Sequence, residues 1–280
     1  MKVPFIKKIK TKNFNYIYDV NTNNFLKVDE VVFEIVDDIY ELSKDEIINK
    51  WKGRFHEIDL ERAVSNIYFS IEKEGLFSFK SPSSIKFPLS QKEIVERLDN
   101  SVDQITLAVT EQCNLRCFYC IYSGKFPWRR RHSSKTMNWS CAKRAIDFYL
   151  VHSKDNPTPA LTFYGGEPFL NFSLIKKCIT YIRDKGGKLH FGVTTNGTLL
   201  DETIINFLIK NDVRLTISLD GPKEIHDRYR KSIQGNGSYD KIIANLQRIR
   251  KNSKKYFFSK IGFNIVISPP FKLKLIKEFF

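Results

Sequence analysis

From about residue 104 onward, short apolar runs that read as strands alternate with longer amphipathic runs that read as helices, and few folds accept that pattern. The strand-like runs are 105–110, 160–164, 189–194, 214–219 and 262–268, with helix-like runs near 140–152, 172–185, 201–210 and 239–251. Such alternation predicts parallel strands joined by crossover helices. The units place polar or glycine-rich motifs just after the strand. That predicts a curved, barrel-like sheet with function at the carboxyl ends of its strands.

The first such motif carries three cysteines, Cys113, Cys117 and Cys120, in the spacing C-x₃-C-x₂-C on one short loop. Thiolates are soft ligands that favour iron–sulfur clusters or zinc. A cubane cluster that only stores electrons takes four protein ligands. Three close ligands with no evident fourth leave one iron open to bind something else. A structural zinc site remains an alternative, with His132 as fourth ligand. It would pair the cysteines with a lone histidine beyond the basic run Trp128-Arg-Arg-Arg131, a poor match to paired zinc spacings. Cys141 and Cys178 fall in helix-like stretches and are expected to be core packing.

The loop resembles the cluster loop of the radical S-adenosylmethionine superfamily, including an aromatic, Tyr119, before the last cysteine. The resemblance implies a [4Fe-4S] cluster held by Cys113, Cys117 and Cys120, and S-adenosyl-L-methionine chelated to the open iron through its amino and carboxylate groups. An electron from the cluster then cleaves the sulfonium and releases a 5′-deoxyadenosyl radical. Tyr119 is carried over as a cofactor-binding position.

The later motifs strengthen that resemblance. Gly165-Gly-Glu-Pro168 follows the second strand. Its glycines allow close backbone approach to a ligand, and Glu167 offers a carboxylate to an ammonium. A plain strand-to-helix turn with Pro168 opening the helix is the alternative. In the resembled family the motif holds the amino group of the cofactor, mainly through backbone carbonyls, so Gly165, Gly166 and Glu167 are candidate cofactor ligands. Thr194-Thr-Asn-Gly197 follows the third strand and reads as a turn; the resemblance adds Thr195 and Asn196 as pocket residues. Ser218-Leu-Asp-Gly-Pro222, then His226-Asp-Arg-Tyr-Arg230, resembles a pattern of peptide- and sulfatase-modifying members. By that match Ser218 and Arg230 reach the ribose or carboxylate of the cofactor, and Asp220 contacts cofactor or substrate. A guanidinium fork suits a carboxylate. His226 is expected to cap or pack rather than act as a base.

Residues 1–80 read as a separate α+β unit. A hairpin over 14–20 and 25–28 is followed by helices starting at Asp29 and Ser43 and over 57–74, with Gly75 as stop and a closing strand at 77–80. This outline is that of a small winged helix-turn-helix domain. It resembles the leader-peptide recognition domains attached to maturases of ribosomally made peptides, in which the leader adds a strand beside the hairpin near the third helix. DNA binding is the rival, but a helix carrying Glu57, Asp59, Glu61, Glu72 and Glu74 is a poor groove reader, so nucleic acid is disfavoured. Ser81-Pro-Ser-Ser84 is a linker, and 81–103 also holds a short helix.

The expected fold is therefore α/β: a partial (β/α) barrel of the radical S-adenosylmethionine type over 104–280, preceded by the winged-helix-like domain. Within the superfamily the match points to the SPASM-type peptide maturase branch, sactipeptide-like and related to anaerobic sulfatase maturases. The implied activity is hydrogen abstraction from a leader-guided precursor peptide, forming a thioether or similar cross-link, with a flavodoxin- or ferredoxin-type electron donor. An anaerobic sulfatase-maturase-like protein modifier, or an inactive fragment that only binds peptide, are the alternatives. The branch usually continues into a cysteine-rich domain and its core has six strand-helix units, so a chain ending at Phe280 reads as C-terminally truncated.

Composition adds bounds. No window approaches 18 apolar residues, so no membrane span is expected. Five cysteines, three of them clustered, suit a reducing, cytoplasmic setting. The net charge of +15 is spread through both halves and points to no single partner.

Overall fold

The computed structural model describes residues 3–81 and 88–280. It divides into two compact units, Met1–Pro88 and Leu89–Phe280. The linker expected at 81–84 lies, from Pro82 on, outside the described residues. Among the described residues no helix is long and apolar enough to cross a membrane.

The first unit is a three-stranded antiparallel sheet, β1 (Ile6–Lys10), β2 (Asn15–Asp19) and β3 (Asn24–Val28), in the order β1-β2-β3. Three helices complete it: α1 (Glu30–Ile35), α2 (Lys44–Trp51) and α3 (Glu57–Phe69). Asp29 caps α1, and Ser43 with Glu46 closes a capping box on α2, a device worth about 1 kcal/mol. Ile17, Ile35, Ile47, Leu60 and Ile67 form the centre of the core. Two expectations change. β1 takes the place of the closing strand expected at 77–80, and its lysine-rich sequence hides a period-2 pattern. Phe77 instead adopts φ +56°, and its N–H donates to the buried Asp19 carboxylate at 2.7 Å. The helix ending at Gly75 finishes in a π-turn over Ser70–Glu74.

The second unit opens with α4 (Gln91–Asn100), followed by β4 (Gln104–Thr110), α5 (Trp139–His152), β5 (Ala160–Gly165), α6 (Phe172–Asp184) and β6 (His190–Thr195). Then come α7 (Glu202–Lys210), β7 (Arg214–Ser218), α8 (Lys223–Tyr229), α9 (Tyr239–Asn252), α10 (Lys254–Lys260), β8 (Ile261–Asn264) and α11 (Leu273–Phe279). The five strands pair in parallel in chain order, β4-β5-β6-β7-β8. This is the expected partial β/α barrel.

Strand alternation assigns the two faces of the sheet. Leu107, Val109, Leu161, Phe163, Phe191, Val193, Leu215 and Ile217 are buried in the core that the helices share, as a period of two requires. Their neighbours Thr106, Thr162, Tyr164, Thr194, Thr216 and Ser218 are small or polar and project from the opposite face. Cys178 packs in that core as expected, whereas Cys141 is exposed on the first turn of α5, which corrects its assignment to the core.

Candidate functional site

The carboxyl ends of β4 to β8 surround a cavity of about 320 Å³, lined by Cys113, Cys117, Tyr119, Cys120, Tyr122, His132, Tyr164, Gly165, Gly166, Thr195, Asn196, Ser218, Arg230, Asn264 and others. All three loop cysteines therefore open onto the space that also receives Ser218, Asn196 and Arg230, residues more than 75 positions away in sequence. That volume suits a cofactor-sized ligand.

The cysteine loop is fixed from below by the glycine motif. Gly166 N–H donates to Thr110 O at 2.8 Å and Glu167 N–H to Gln112 O at 2.7 Å. A Cβ on Gly165 would lie 2.2 Å from Thr110 O, and one on Gly166 would lie 1.9 Å from Gln112 O. The glycines are thus required by the backbone of the cysteine loop itself, and Gly165 also holds φ +136°.

Glu167 differs from the sequence expectation. Its side chain is fully buried, outside the cavity lining. The carboxylate accepts from Thr195 Oγ1 at 2.7 Å, Asn196 N at 2.8 Å and Phe169 N at 3.2 Å. Burial pushes its pKa up to about 7, against the pull of these donors. No free carboxylate is left for an ammonium; Glu167 joins the loops after β5 and β6.

Asn196 extends that junction to the cysteines. Its Nδ2 donates to Asn114 Oδ1 at 2.8 Å and lies 4.0 Å from Cys113 Sγ. Its Oδ1 accepts from Thr198 N and Oγ1, while Asn114 Nδ2 donates to Thr198 Oγ1 at 2.8 Å. Asn114 and Thr198 escaped the sequence reading because each is one polar residue in a turn; only pairing across the loops gives them a role.

The other sulfurs also face donors or polar rings. Arg230 Nη1 is 4.0 Å from Cys117 Sγ, and Leu115 N–H donates to Cys113 Sγ at 3.5 Å. His132 Nε2 stands 3.8 Å from Cys120 Sγ, and its Nδ1 donates to Glu111 O at 3.3 Å. Burial pushes the Cys113 thiol up to about 11; Cys117 is raised by burial too, with Arg230 acting against it.

Arg230 and Tyr119 meet at Asp220. The buried carboxylate accepts from Arg230 Nε at 2.9 Å, from Tyr119 OH, and from Val266 N–H at 3.0 Å. Arg230 also lies over the Tyr119 ring, 5.3 Å from its centroid. Asp220 is spent inside the protein rather than lining the cavity. Behind it, the Asp220 N–H donates to His226 Nδ1 at 3.3 Å, so His226 Nε2 carries the proton and donates to Ser238 Oγ at 2.9 Å. Ser238 Oγ in turn donates to Arg230 O at 2.9 Å. Burial holds His226 near pKa 4; it packs, as expected. Ser218 lines the cavity, and its hydroxyl has no hydrogen-bond partner among the described residues.

The donor set fits a cluster plus a chelating ligand. Three sulfurs open on one cavity with a free hydroxyl and a guanidinium at its wall.

Residues 107–278 match the model of the Radical SAM superfamily. A serine-type anaerobic sulfatase-maturating enzyme of Bacteroides thetaiotaomicron is 30% identical over 147 residues, 51% of this chain and 35% of that protein. A radical SAM cyclopropyl synthase, TigE of Paramaledivibacter caminithermalis, is 24% identical over 251 residues, 84% of this chain and 51% of that one. Among solved structures, native anSMEcpe with bound AdoMet and Cp18Cys peptide superimposes with a TM-score of 0.51 at 25% identity, covering 64% of this chain and 47% of that one. The chain spans about half or less of the length of these relatives.

Proposed function

The chain belongs to the Radical SAM superfamily, and on that premise we propose that it modifies a leader-guided peptide, with Cys113, Cys117 and Cys120 as cluster ligands. The superfamily uses a [4Fe-4S] cluster and S-adenosylmethionine. When bound, these groups supply a 5′-deoxyadenosyl radical able to abstract hydrogen. The observation that carries the proposal is the opening of three thiols from one loop onto the cavity that Ser218, Asn196 and Arg230 also line.

The protein's own residues have defined parts in this reading. Asn196 and Leu115 N–H direct donors at the Cys113 sulfur, and Arg230 does so at Cys117. Such outer contacts orient metal ligands and tune the metal. Ser218 offers its hydroxyl, and the Gly165-Gly166 backbone lines the cavity, for the cofactor's polar groups. Arg230, anchored through Nε, lines the cavity with its Nη1 4.0 Å from Cys117 Sγ. Tyr119 contributes its ring, since its hydroxyl is committed to Asp220.

The peptide reading rests on the first unit. A cavity of about 260 Å³ lies between β3 and α3, lined by Leu26, Val28, Val32, Asn66, Ile67 and Phe77 among others. β3 is an outer strand, whose unpaired backbone groups are a template for an added strand. A cross-link such as a thioether is the proposed product, in a reducing cytoplasmic setting.

The test is anaerobic reconstitution with iron and sulfide, then dithionite and S-adenosylmethionine. Release of 5′-deoxyadenosine is expected; a folded, iron-loaded chain that releases none overturns the proposal. The similarity to sulfatase-maturating enzymes favours a second reading, in which residues 1–80 are dispensable. Deleting them without loss of turnover on a peptide would select that reading.

A further inference from the structure

We propose that the outer face of the cysteine loop is the docking surface for an acidic one-electron carrier protein of the flavodoxin or ferredoxin type. This deepens the proposed function and rests on it. From Gln112 to Ile146 the chain carries eight lysines and arginines and no carboxylate; Glu111, at its start, accepts from Ser133 Oγ at 2.7 Å, and Asp147, at its end, pairs with Lys143. The segment after Cys120 folds back on the cysteine turn: Ser123 N–H donates to Cys120 O at 2.9 Å, and His132 N–H to Tyr122 O at 3.1 Å.

That fold-back gathers the cations. Lys125 Nζ stands 3.2 Å above the Phe118 ring centroid, and Arg130 lies 3.6 Å over Tyr122. The Arg131 side chain runs beside Gly124, and Arg129 is exposed. None of these four takes part in an ion pair among the described residues. Two rings of the same segment are exposed, Phe118 at 60% and Trp128 at 78%, and Phe118 is held between Lys125 and Tyr229, on which it stacks at 5.5 Å. Exposed aromatic rings among charged side chains are a feature of protein interfaces.

Position decides the partner. Phe118 sits between Cys117 and Cys120, so a carrier seated on its ring brings a redox group within one side chain of two cluster ligands. The proposed reaction consumes one external electron for each cofactor cleaved. A flavin hydroquinone would give that electron up and become a semiquinone, with no bond made or broken on the carrier. Nucleic acid would satisfy the charge but gain nothing from lying beside the sulfurs.

The experiment compares the iron-loaded chain of 280 residues with a Lys125→Glu/Arg129→Glu/Arg131→Glu variant. Deoxyadenosine release is driven either by reduced flavodoxin or by dithionite, and flavodoxin binding is measured directly by calorimetry at low and high salt. The expected result is a fall of about tenfold or more with flavodoxin, unchanged release with dithionite, and weaker binding. Equal losses with both reductants, or unchanged flavodoxin binding, overturn the proposal. If wild type releases nothing even with dithionite, the functional reading fails; the binding measurement then still decides the surface. Should the variant misfold, the salt dependence of wild-type binding replaces it, and salt-insensitive binding counts against the surface.

Discussion

Arg230 Nε donates to Asp220 Oδ2 at 2.9 Å in a nearly water-free pair, and this bond determines where the guanidinium can reach. Substituting Asp220→Ala leaves a buried, unpaired cation and is expected to destabilise the second unit by about 3–5 kcal/mol. Arg230→Met alone is expected to destabilise in the same way. The double variant Asp220→Val/Arg230→Met should recover more than half of the loss. Urea unfolding of the three variants provides the comparison; equal, additive losses would mean that the pair is not coupled.

Iron content separates the cysteines. Wild type is expected to take up about four irons per chain after reconstitution. Cys113→Ala, Cys117→Ala and Cys120→Ala should each lose most of them, with the cluster's visible absorbance. Cys141→Ala, at an exposed position, should retain both. Cluster uptake by all three loop variants would disprove the ligand assignment.

Gly166→Ala places a methyl group 1.9 Å from the Gln112 carbonyl oxygen, a backbone atom that cannot swing aside. A cost of more than about 2 kcal/mol is expected, together with loss of iron binding. Gly262→Ala, where a Cβ meets nothing within 4 Å, is the control. Thermal melting and iron assay of both variants check this.

His226 sets a pH dependence. Its folded pKa is depressed to about 4 from 6.5, so the unfolded chain binds the extra proton first as pH falls. Its contribution to stability is full above pH 6.5 and is lost on acidification toward pH 4, by about 3 kcal/mol. Glu167 acts oppositely: its folded pKa is raised to about 7, so stability falls as pH rises from 4.5 to 7. The two slopes largely cancel between about pH 4.5 and 6.5. In a His226→Gln variant only the Glu167 slope remains, and its melting temperature should fall as pH is raised through that window. A variant whose melting profile parallels wild type would contradict the His226 assignment, and one that is flat across the window would contradict that of Glu167.

The parallel sheet was legible because its buried strands are compact apolar runs followed by motifs, and registers such as Leu161↔Phe191 and Val193↔Leu215 bring those runs together. β1 was missed because Ile6 and Ile9 are three apart and separated by lysines. α8 was missed because 223–229 was read as a motif rather than an element. The three cysteines are brought onto one cavity with Asn196 and Ser218, as their strand-end positions implied, and with Arg230, which follows α8. The place of Glu167 was not legible. Its partners Thr195 and Asn196 lie 28 and 29 residues away, and burial depends on packing that no local pattern encodes. Asp220 was misjudged for the same reason: a carboxylate in a loop after a strand looks free until Tyr119, Arg230 and Val266 close on it.

Glu167 has one more consequence. Because it grips the turn after β6 while its own backbone is zipped to the segment after β4, the three turns form a single mechanical piece. A residue added to any of them would have to be matched in the others, and the segment after β7 is bound to the same loop, Arg116 N–H donating to Lys231 O at 2.7 Å and Phe118 N–H to Tyr229 O at 2.9 Å. Length changes that adapt such a scaffold to new substrates are therefore expected away from these turns, leaving the sulfur-bearing side unchanged.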